Sequence, residues 1–278
     1  MKEDGMYLYC IIDSGEEKQF NSPGIAKDNG IVHTVPFSDI AAVVSKSPII
    51  KYDITRENLL AHQLVMEEAL REQVVLPVRF GTICEKENEL KERVLKTRYS
   101  EFKELFLNFQ GKKEFGLKAL WINMNEIYKE ILNENCKIKS LKGELEGKSA
   151  EKTLNERITL GKMVESALSA KREKEAKKLL ENLKKLSVKH KENSLISDKM
   201  VFNFAFLAEC SKEKEVDDEI ERLISQYENR IRFKYVGPVP LCNFVEIVIT
   251  FDDHVVDLED LVDPGRAGRV EDPCGTKC

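Results

Sequence analysis

Runs of apolar side chains predict a sheet in the first part of the chain. Aromatic and β-branched residues cluster there in short runs, which is the pattern typical of strands. Strands are predicted at residues 6–12, 31–37, 40–44 and 74–80. Leucine and methionine recur at helical spacing over residues 56–72, where Thr55 can cap the helix, and over residues 88–108. The order β-β-β-α-β-α predicts an α+β domain with helices on one face of its sheet.

The second half of the chain also alternates between the sequence patterns of strands and helices. Strands are predicted at residues 115–122, 200–210, 231–236 and 244–251. Helices are predicted at residues 125–134, 154–190 and 216–229. The longest of them would run on the order of 50 Å if it is continuous. Residues 137–147 carry two glycines and many charges, so they are interpreted as a linker or loop. The whole order suits a ferredoxin-like sandwich or a variant of it.

The chain has 278 residues, which is enough for two modest domains. We predict an N-terminal α+β domain at residues 1–112 and a C-terminal ferredoxin-like α+β domain, with the long helical segment, at residues 113–262. Each domain is expected to hold a mixed or antiparallel sheet with helices on one face. Residues 263–278 are rich in glycine and proline and show no periodicity, so they are predicted to be a flexible tail.

Charge and hydropathy narrow the choice of partners. The formal net charge of −5 is mild and gives no argument for nucleic acid or for a membrane surface. No segment approaches the roughly 20 apolar residues that span a bilayer. The first residues are polar and acidic, without the basic region of a secretion signal. We therefore expect a cytoplasmic protein that binds neither nucleic acid nor membrane.

The chemistry-bearing residue types do not form a recognisable catalytic or metal motif. The seven cysteines are scattered and do not suggest a disulfide framework. Three of them lie in apolar runs and are predicted to be small buried residues: Cys10, Cys210 and Cys242. Cys274 and Cys278 are predicted to be reduced thiols in the tail. The sequence contains no P-loop, no G-x-G-x-x-G after a strand and no G-x-S-x-G, so no residue is nominated for catalysis, a cofactor or a metal.

The sequence VVLPVRFGT at residues 74–82 predicts a strand that ends in a tight corner. Pro77 lacks a ladder donor, which places this strand at an edge or interrupts it. Gly81 permits a backbone angle or a close approach that other residues cannot make. Arg79 lies between the apolar residues Val78 and Phe80, and alternation puts it on the opposite face of the strand from both.

Arg79, His62 and the basic helix each allow two interpretations. Arg79 either faces a partner or an acidic ligand, or braces the next loop through carbonyls or a helix carboxylate such as Glu67 or Glu68. His62 is either a packing histidine that donates one hydrogen bond or a functional group. The stretch at residues 171–191 has the pattern of a solvated helix with i,i+4 ion pairs, although its apolar stripe could receive a partner helix.

These motifs, with GPVPLCNFV at residues 237–245, resemble the gas vesicle protein F/L family. The resemblance is carried along most of the chain by Tyr7-Leu8-Tyr9, AAVVS at residues 41–45, His62, Val65 and LPVRFGT at residues 76–82. The family usually has Trp where Val239 stands and Tyr where Cys242 stands. The candidate interaction or structural residues are His62, Pro77, Arg79, Phe80, Gly81, Gly237, Pro238, Pro240 and Phe244.

The resemblance implies a two-domain α+β protein that is a minor component of gas vesicles and not an enzyme. It implies binding to the main shell protein and to other accessory proteins during vesicle assembly, with location at the gas vesicle in the cytoplasm. Contact through strand addition at the Pro77 edge, or through the helical stripe that includes Leu179 and Leu183, is expected. Two other classes remain open: a small-ligand-binding regulatory module of ferredoxin-like type, and an enzyme with an unrecognised site in a deep polar pocket.

Overall fold

The structure is a computed structural model, and it describes residues 4–25 and 30–251. These residues form two compact units. Unit 1 comprises the described residues up to Gln110 together with those from Val239 onward, and unit 2 comprises Gly111–Pro238. The segment from Val239 to residue 251 thus belongs with unit 1, whereas the sequence predicted that it lies in the second domain. The tail at residues 263–278, with Cys274 and Cys278, lies outside the described residues.

Unit 1 is built on a six-stranded sheet. Its strands are β1 Asp4–Ile12, β2 Gln19–Phe20, β3 Val32–Phe37, β4 Ile40–Pro48, β5 Val75–Pro77 and β6 Ile83–Cys84. Its helices are α1 Arg56–Leu70, α2 Glu87–Glu89, a π-helix at Leu90–Lys96 and α3 Tyr99–Phe109. The strand order is β2-β3-β4-β1-β5, with β6 also paired to β1, and β1 runs antiparallel to β4, β5 and β6.

The central strand β1 explains why this sheet is buried on both faces. Successive side chains of a strand point to opposite faces, and every residue from Tyr7 to Ile12 is fully buried. On one face Tyr7 and Tyr9 pack with Val65 and Met66 of α1. The sheet is therefore covered on both faces at β1, where the sequence predicted helices on one face only.

Unit 2 holds a four-stranded sheet and the long helix. Its strands are β7 Lys112–Trp121, β8 Lys189–Glu192, β9 Met200–Glu209 and β10 Ile231–Val239, of which only the last residue is assigned to unit 1. Its helices are α4 Met124–Glu134, α5 Cys136–Leu145, α6 Leu154–Leu186 and α7 Glu213–Tyr227, with short 3₁₀ turns at Glu151–Thr153 and Cys210–Lys212. The strand order is β10-β7-β9-β8, and β9 is antiparallel to both β7 and β8.

The fold class is therefore α+β, with two antiparallel sheets and one long helix, as the sequence predicted. Between β7 and β10 the elements follow the order β-α-β-β-α-β if the helices α4 to α6 are taken as one connection, which is the order of the split β-α-β motif. The finer ferredoxin-like description remains our interpretation of this order.

The core of unit 2 lies between the sheet and one face of its helices. Alternate residues of β7 and β9 point towards the helices, among them Phe115, Leu117, Phe204 and Phe206. The helices contribute side chains at helical spacing: Leu179, Leu180 and Leu183 from α6, and Val216, Ile220 and Leu223 from α7. The apolar stripe of α6 that was considered for a partner helix is therefore part of this core.

Three local predictions were wrong. Residues 137–147, predicted to be a linker, lie mostly in α5, because Ile138 and Leu145 on one helical face are buried there. The long helix ends at Leu186, and the fully polar sequence of Lys189–Glu192 becomes strand β8 by pairing with β9. Residues 244–251 form no strand of their own and contribute one parallel bridge, between Ile247 and Val78.

The cysteine predictions held only in part. Cys10 is buried in β1, but Cys210 and Cys242, predicted to be buried, are exposed. Cys210 begins the 3₁₀ turn that follows β9, and Cys242 lies in the turn that follows Pro240. Both cysteines have apolar neighbours in the sequence, but their thiols are exposed because both positions lie where the chain turns.

Candidate functional site

The first motif residues meet in a buried cluster of rings in unit 1. The rings of Tyr7, Tyr9 and Phe80 surround the imidazole of His62, with centroid separations of 5.6 to 5.7 Å from His62. Gly81 donates its backbone N–H to the hydroxyl of Tyr7 over 3.0 Å, and the same hydroxyl lies 3.1 Å from Nδ1 of His62. Strand β1, helix α1 and the corner after β5 are thereby joined at one phenol.

His62 is held as a neutral side chain. Burial lowers the pKa of His62 from 6.5 to about 4, although a hydrogen bond with the Val78 backbone opposes the change. The Tyr7 hydroxyl already accepts the Gly81 N–H, so its own proton is directed at Nδ1, which suits an imidazole protonated only at Nε2. His62 therefore packs among these rings, and a functional role for its side chain remains a prediction.

The buried His62 predicts a pH dependence of stability. Its pKa is lower in the folded chain than in the unfolded chain, so the unfolded chain binds the proton more tightly. The free energy of unfolding should be greatest above pH 6.5 and fall by about 3 kcal/mol as the pH is lowered to about 4. Urea denaturation of the wild type and of His62→Gln across this range measures the difference. His190→Gln, at an exposed position, is the control. A His62→Gln variant that keeps the full pH slope would show that other groups cause it.

The corner after β5 also meets the second motif. Ile247 donates its backbone N–H to the carbonyl of Pro77 over 2.9 Å, and Arg79 donates its backbone N–H to the carbonyl of Ile247 over 3.0 Å. The Arg79 side chain forms two hydrogen bonds to the carboxylate of Glu246, at 3.1 and 3.2 Å. Two segments that lie far apart in sequence are thus adjacent in unit 1.

Strand β5 lies at the end of the strand order, as Pro77 predicted. The arrangement corrects two other expectations, that this edge is available for strand addition and that a helix carboxylate is the partner of Arg79. The segment around Ile247 already occupies the backbone groups of Pro77 and Arg79 on that side. Glu68, one of the proposed partners, instead accepts hydrogen bonds from the backbone N–H groups of Asn21 and Ser22. The sequence had no signal for Glu246, because most of the chain separates the two residues.

We expect Arg79 and Glu246 to be coupled weakly. The Arg79 side chain is 30% exposed and that of Glu246 is 59% exposed, so solvent screens their attraction. A double-mutant cycle with Arg79→Ala and Glu246→Ala should give a coupling free energy of about 0.5 kcal/mol that decreases with added salt. No coupling, with partner capture lost in Arg79→Ala alone, would favour the other interpretation of Arg79 as a contact residue.

The second motif is divided between the units. Gly237 and Pro238, in unit 2, lie at the end of β10, and Gly237 has φ of +152°. A Cβ atom at Gly237 would lie 2.4 Å from Cδ1 of Phe115, so only glycine fits beside this core ring. Pro240 is buried in unit 1 and Phe244 is half-buried there. The structure therefore gives these motif residues packing and turn positions, and a contact role for any of them remains a prediction.

The described residues offer few features of other functional classes. Between residues 4 and 25 and between 30 and 251, no set of three or more His, Cys, Asp or Glu side chains is arranged to hold a metal ion. No helix within those ranges is long and apolar enough to cross a membrane. Side-chain nitrogen and oxygen atoms buried in that part of the chain all have hydrogen-bond partners.

The fold defines an α+β protein of two units. In unit 1 the motif residues pack together and hold the corner that follows β5. A family model described as gas vesicle synthesis protein GvpL/GvpF matches residues 5–246. The chain therefore belongs to the GvpL/GvpF family of gas vesicle proteins, as the motifs indicated.

Similar proteins occur in cyanobacteria and in haloarchaea. Gas vesicle protein F of Nostoc sp. is 24% identical over 233 residues, which is 83% of this chain and 93% of the relative. Gas vesicle protein F1 of Halobacterium salinarum is 24% identical over 249 residues, which is 88% of this chain and 95% of the relative. The crystal structure of GvpF from Anabaena sp. matches with a TM-score of 0.74 at 23% identity, over 88% of this chain and 99% of that chain. It shares the fold described above.

Proposed function

We propose that this protein is an accessory or minor structural component of gas vesicles that binds the main shell protein and supports vesicle assembly. Membership of the GvpL/GvpF family over residues 5–246 is the observation that carries the proposal. The family description names vesicle synthesis, and the similar proteins are named as gas vesicle proteins. Other accessory proteins of the vesicle are further partners in this proposal, and the vesicle is its place of action.

We expect the contact surface to be apolar, because exposed apolar side chains on a folded protein mark sites of contact with other proteins. Each unit exposes two large apolar side chains one helical turn apart. Leu60 and Leu64 of α1 are 40% and 37% exposed, and Leu154 and Ile158 of α6 are 60% and 48% exposed. These pairs replace the Pro77 edge and the buried stripe of α6 as our candidates for the contact.

Deletion of the gene tests the function. We expect cells without this protein to form few or no buoyant vesicles, as counted by electron microscopy and by flotation. Reintroduction of the wild-type gene should restore them, and the shell protein should co-purify with the tagged wild-type protein. Normal numbers of buoyant vesicles in the deletion strain would overturn the proposal.

Two matched double variants test the contact surface. Leu60→Ser/Leu64→Ser changes unit 1 and Leu154→Ser/Ile158→Ser changes unit 2, and each removes two exposed apolar side chains. Capture of the shell protein should be lost in one pair and kept in the other. At moderate salt, exposed charges are screened over a Debye length of about 8 to 10 Å. Because this screening weakens charge pairs and not apolar contacts, wild-type capture should persist from low to moderate salt. Loss of capture with salt, or full capture by both pairs, would exclude these surfaces.

A further inference from the structure

Unit 2 contains an open cleft of about 610 Å³ on one face of the long helix. The residues of α6 that line it recur at helical spacing, so the cleft follows one side of that helix. Its other walls are the end of α4, with Asn135 beyond it, and the residues Tyr227 and Arg230 at and after the end of α7. The small side chains of Ala167 and Ala170 leave the space. A volume between about 300 and 1,000 Å³ is usual for small-molecule sites.

The carboxylates beside this cleft are already paired. Arg230 holds Glu130 through two hydrogen bonds of 2.7 and 2.9 Å, and it also donates to Glu175 over 2.6 Å. The indole N–H of Trp121 donates to Glu175 over 2.8 Å. The hydrogen bonds of Arg230, and after them that of Lys171, lower the pKa of Glu130 to about 2. The ion-pair network therefore forms a fixed wall.

Two lysines at the cleft have no carboxylate partner in the part of the chain that the structure describes. Lys174 and Lys178 lie one turn apart on α6, and both side chains line the cleft. Across residues 4–25 and 30–251, Lys174 has no hydrogen-bond or ion-pair partner, and Lys178 has only the ring of Tyr227, 5.7 Å from its ammonium nitrogen. The chain carries a net charge of −5, so two unpaired cations in one concave place are a local excess of positive charge.

We propose that this cleft binds a small molecule bearing phosphate or carboxylate groups. The anion would lie between the ammonium groups of Lys174 and Lys178, since charge-assisted hydrogen bonds are the strongest of the polar contacts available there. The rest of the molecule would rest on Ala167, Ala170 and Leu179, which form the apolar floor. Binding to the folded chain only would stabilise unit 2 and make its stability depend on ligand concentration.

Isothermal titration calorimetry on the full chain tests the site with two probes, tripolyphosphate for phosphate and citrate for carboxylate. At least one probe should bind the wild type with Kd below about 1 mM at moderate salt. The double variant Lys174→Glu/Lys178→Glu should weaken this binding at least tenfold. The control Lys162→Glu/Lys177→Glu makes the same change in net charge at two exposed positions of α6 that do not line the cleft, and it should bind within twofold of wild type.

Circular dichroism of both double variants checks that they are folded. Selective loss of binding in the cleft variant supports the site, and the probe that binds identifies phosphate or carboxylate as its preferred group. Two results would overturn the proposal. One is the absence of binding by either probe up to about 10 mM, an affinity too weak for a specific site. The other is an equal loss of probe binding in the cleft variant and the control variant, which would show that binding depends on the overall charge of α6 and not on the two cleft lysines.

Discussion

Leu183→Asp is expected to unfold unit 2 or to destabilise it by more than about 4 kcal/mol. Leu183 is fully buried in the core between α6 and the sheet. The substitution would place a carboxylate among apolar side chains, so the group must either lose its hydration or become protonated. Urea denaturation followed by circular dichroism measures the loss, and a folded variant should unfold at a much lower urea concentration than wild type.

The matched control lies on the same helix. Leu154 is 60% exposed at the start of α6, so Leu154→Asp should change stability by no more than about 0.5 kcal/mol. A well-folded Leu183→Asp protein with wild-type stability would contradict the burial of the α6 stripe. It would also restore that stripe as a surface for a partner helix, which the structure excludes.

Gly237→Val should destabilise the protein by about 3 kcal/mol. Two causes act together. The first atom of any side chain would lie 2.4 Å from Cδ1 of Phe115, a ring that is only 1% exposed and held in the core of unit 2. In addition, the φ of Gly237 is +152°, a region that residues with a Cβ atom rarely adopt. Thermal and urea unfolding of the variant measure the combined cost.

Gly143→Ala is the control for this prediction. Gly143 lies in α5, and among the described residues outside its own turns of helix no atom lies within 4 Å of the position that an alanine methyl group would take. Alanine should therefore fit and raise stability by up to about 1 kcal/mol. Phe115→Leu should relieve part of the overlap in the Gly237→Val background, which a double-mutant cycle detects. If Gly237→Val is as stable as wild type, the close packing of Gly237 on Phe115 is wrong.

The sequence pattern was sufficient to predict an element wherever the side chains of that element alone indicate a strand or a helix. Residues 6–12 were predicted as a strand and lie within β1, because consecutive aromatic and β-branched residues suit a buried central strand. Residues 56–72 were predicted as a helix with Thr55 as its cap, and the Thr55 side chain accepts the N–H of Asn58 at the start of α1. The family was also evident from the motifs, and a family model that matches residues 5–246 confirms it.

Elements that depend on a distant partner were not predictable in the same way. Strand β8 is entirely exposed and polar, and it exists because its backbone groups pair with β9. The segment around Ile247 has the sequence pattern of a strand, yet it supplies one bridge to Val78 and a carboxylate to Arg79. The pattern of side chains along a segment reports its own burial, but it does not report which backbone edge or charge the segment will meet.

The candidate residues show the same division. The sequence by itself determined that Gly81 needs conformational freedom, and its φ is +84°. It also determined that His62 lies on a helix that faces the sheet. Only the tertiary structure decided that His62 is neutral within a ring cluster and that Glu246 is the partner of Arg79. It also decided that Lys174 and Lys178 line a cleft whose carboxylates are paired with other residues. The physical reason is that periodicity along the chain is set by local geometry, whereas desolvation and charge pairing depend on residues brought together from far apart in the sequence.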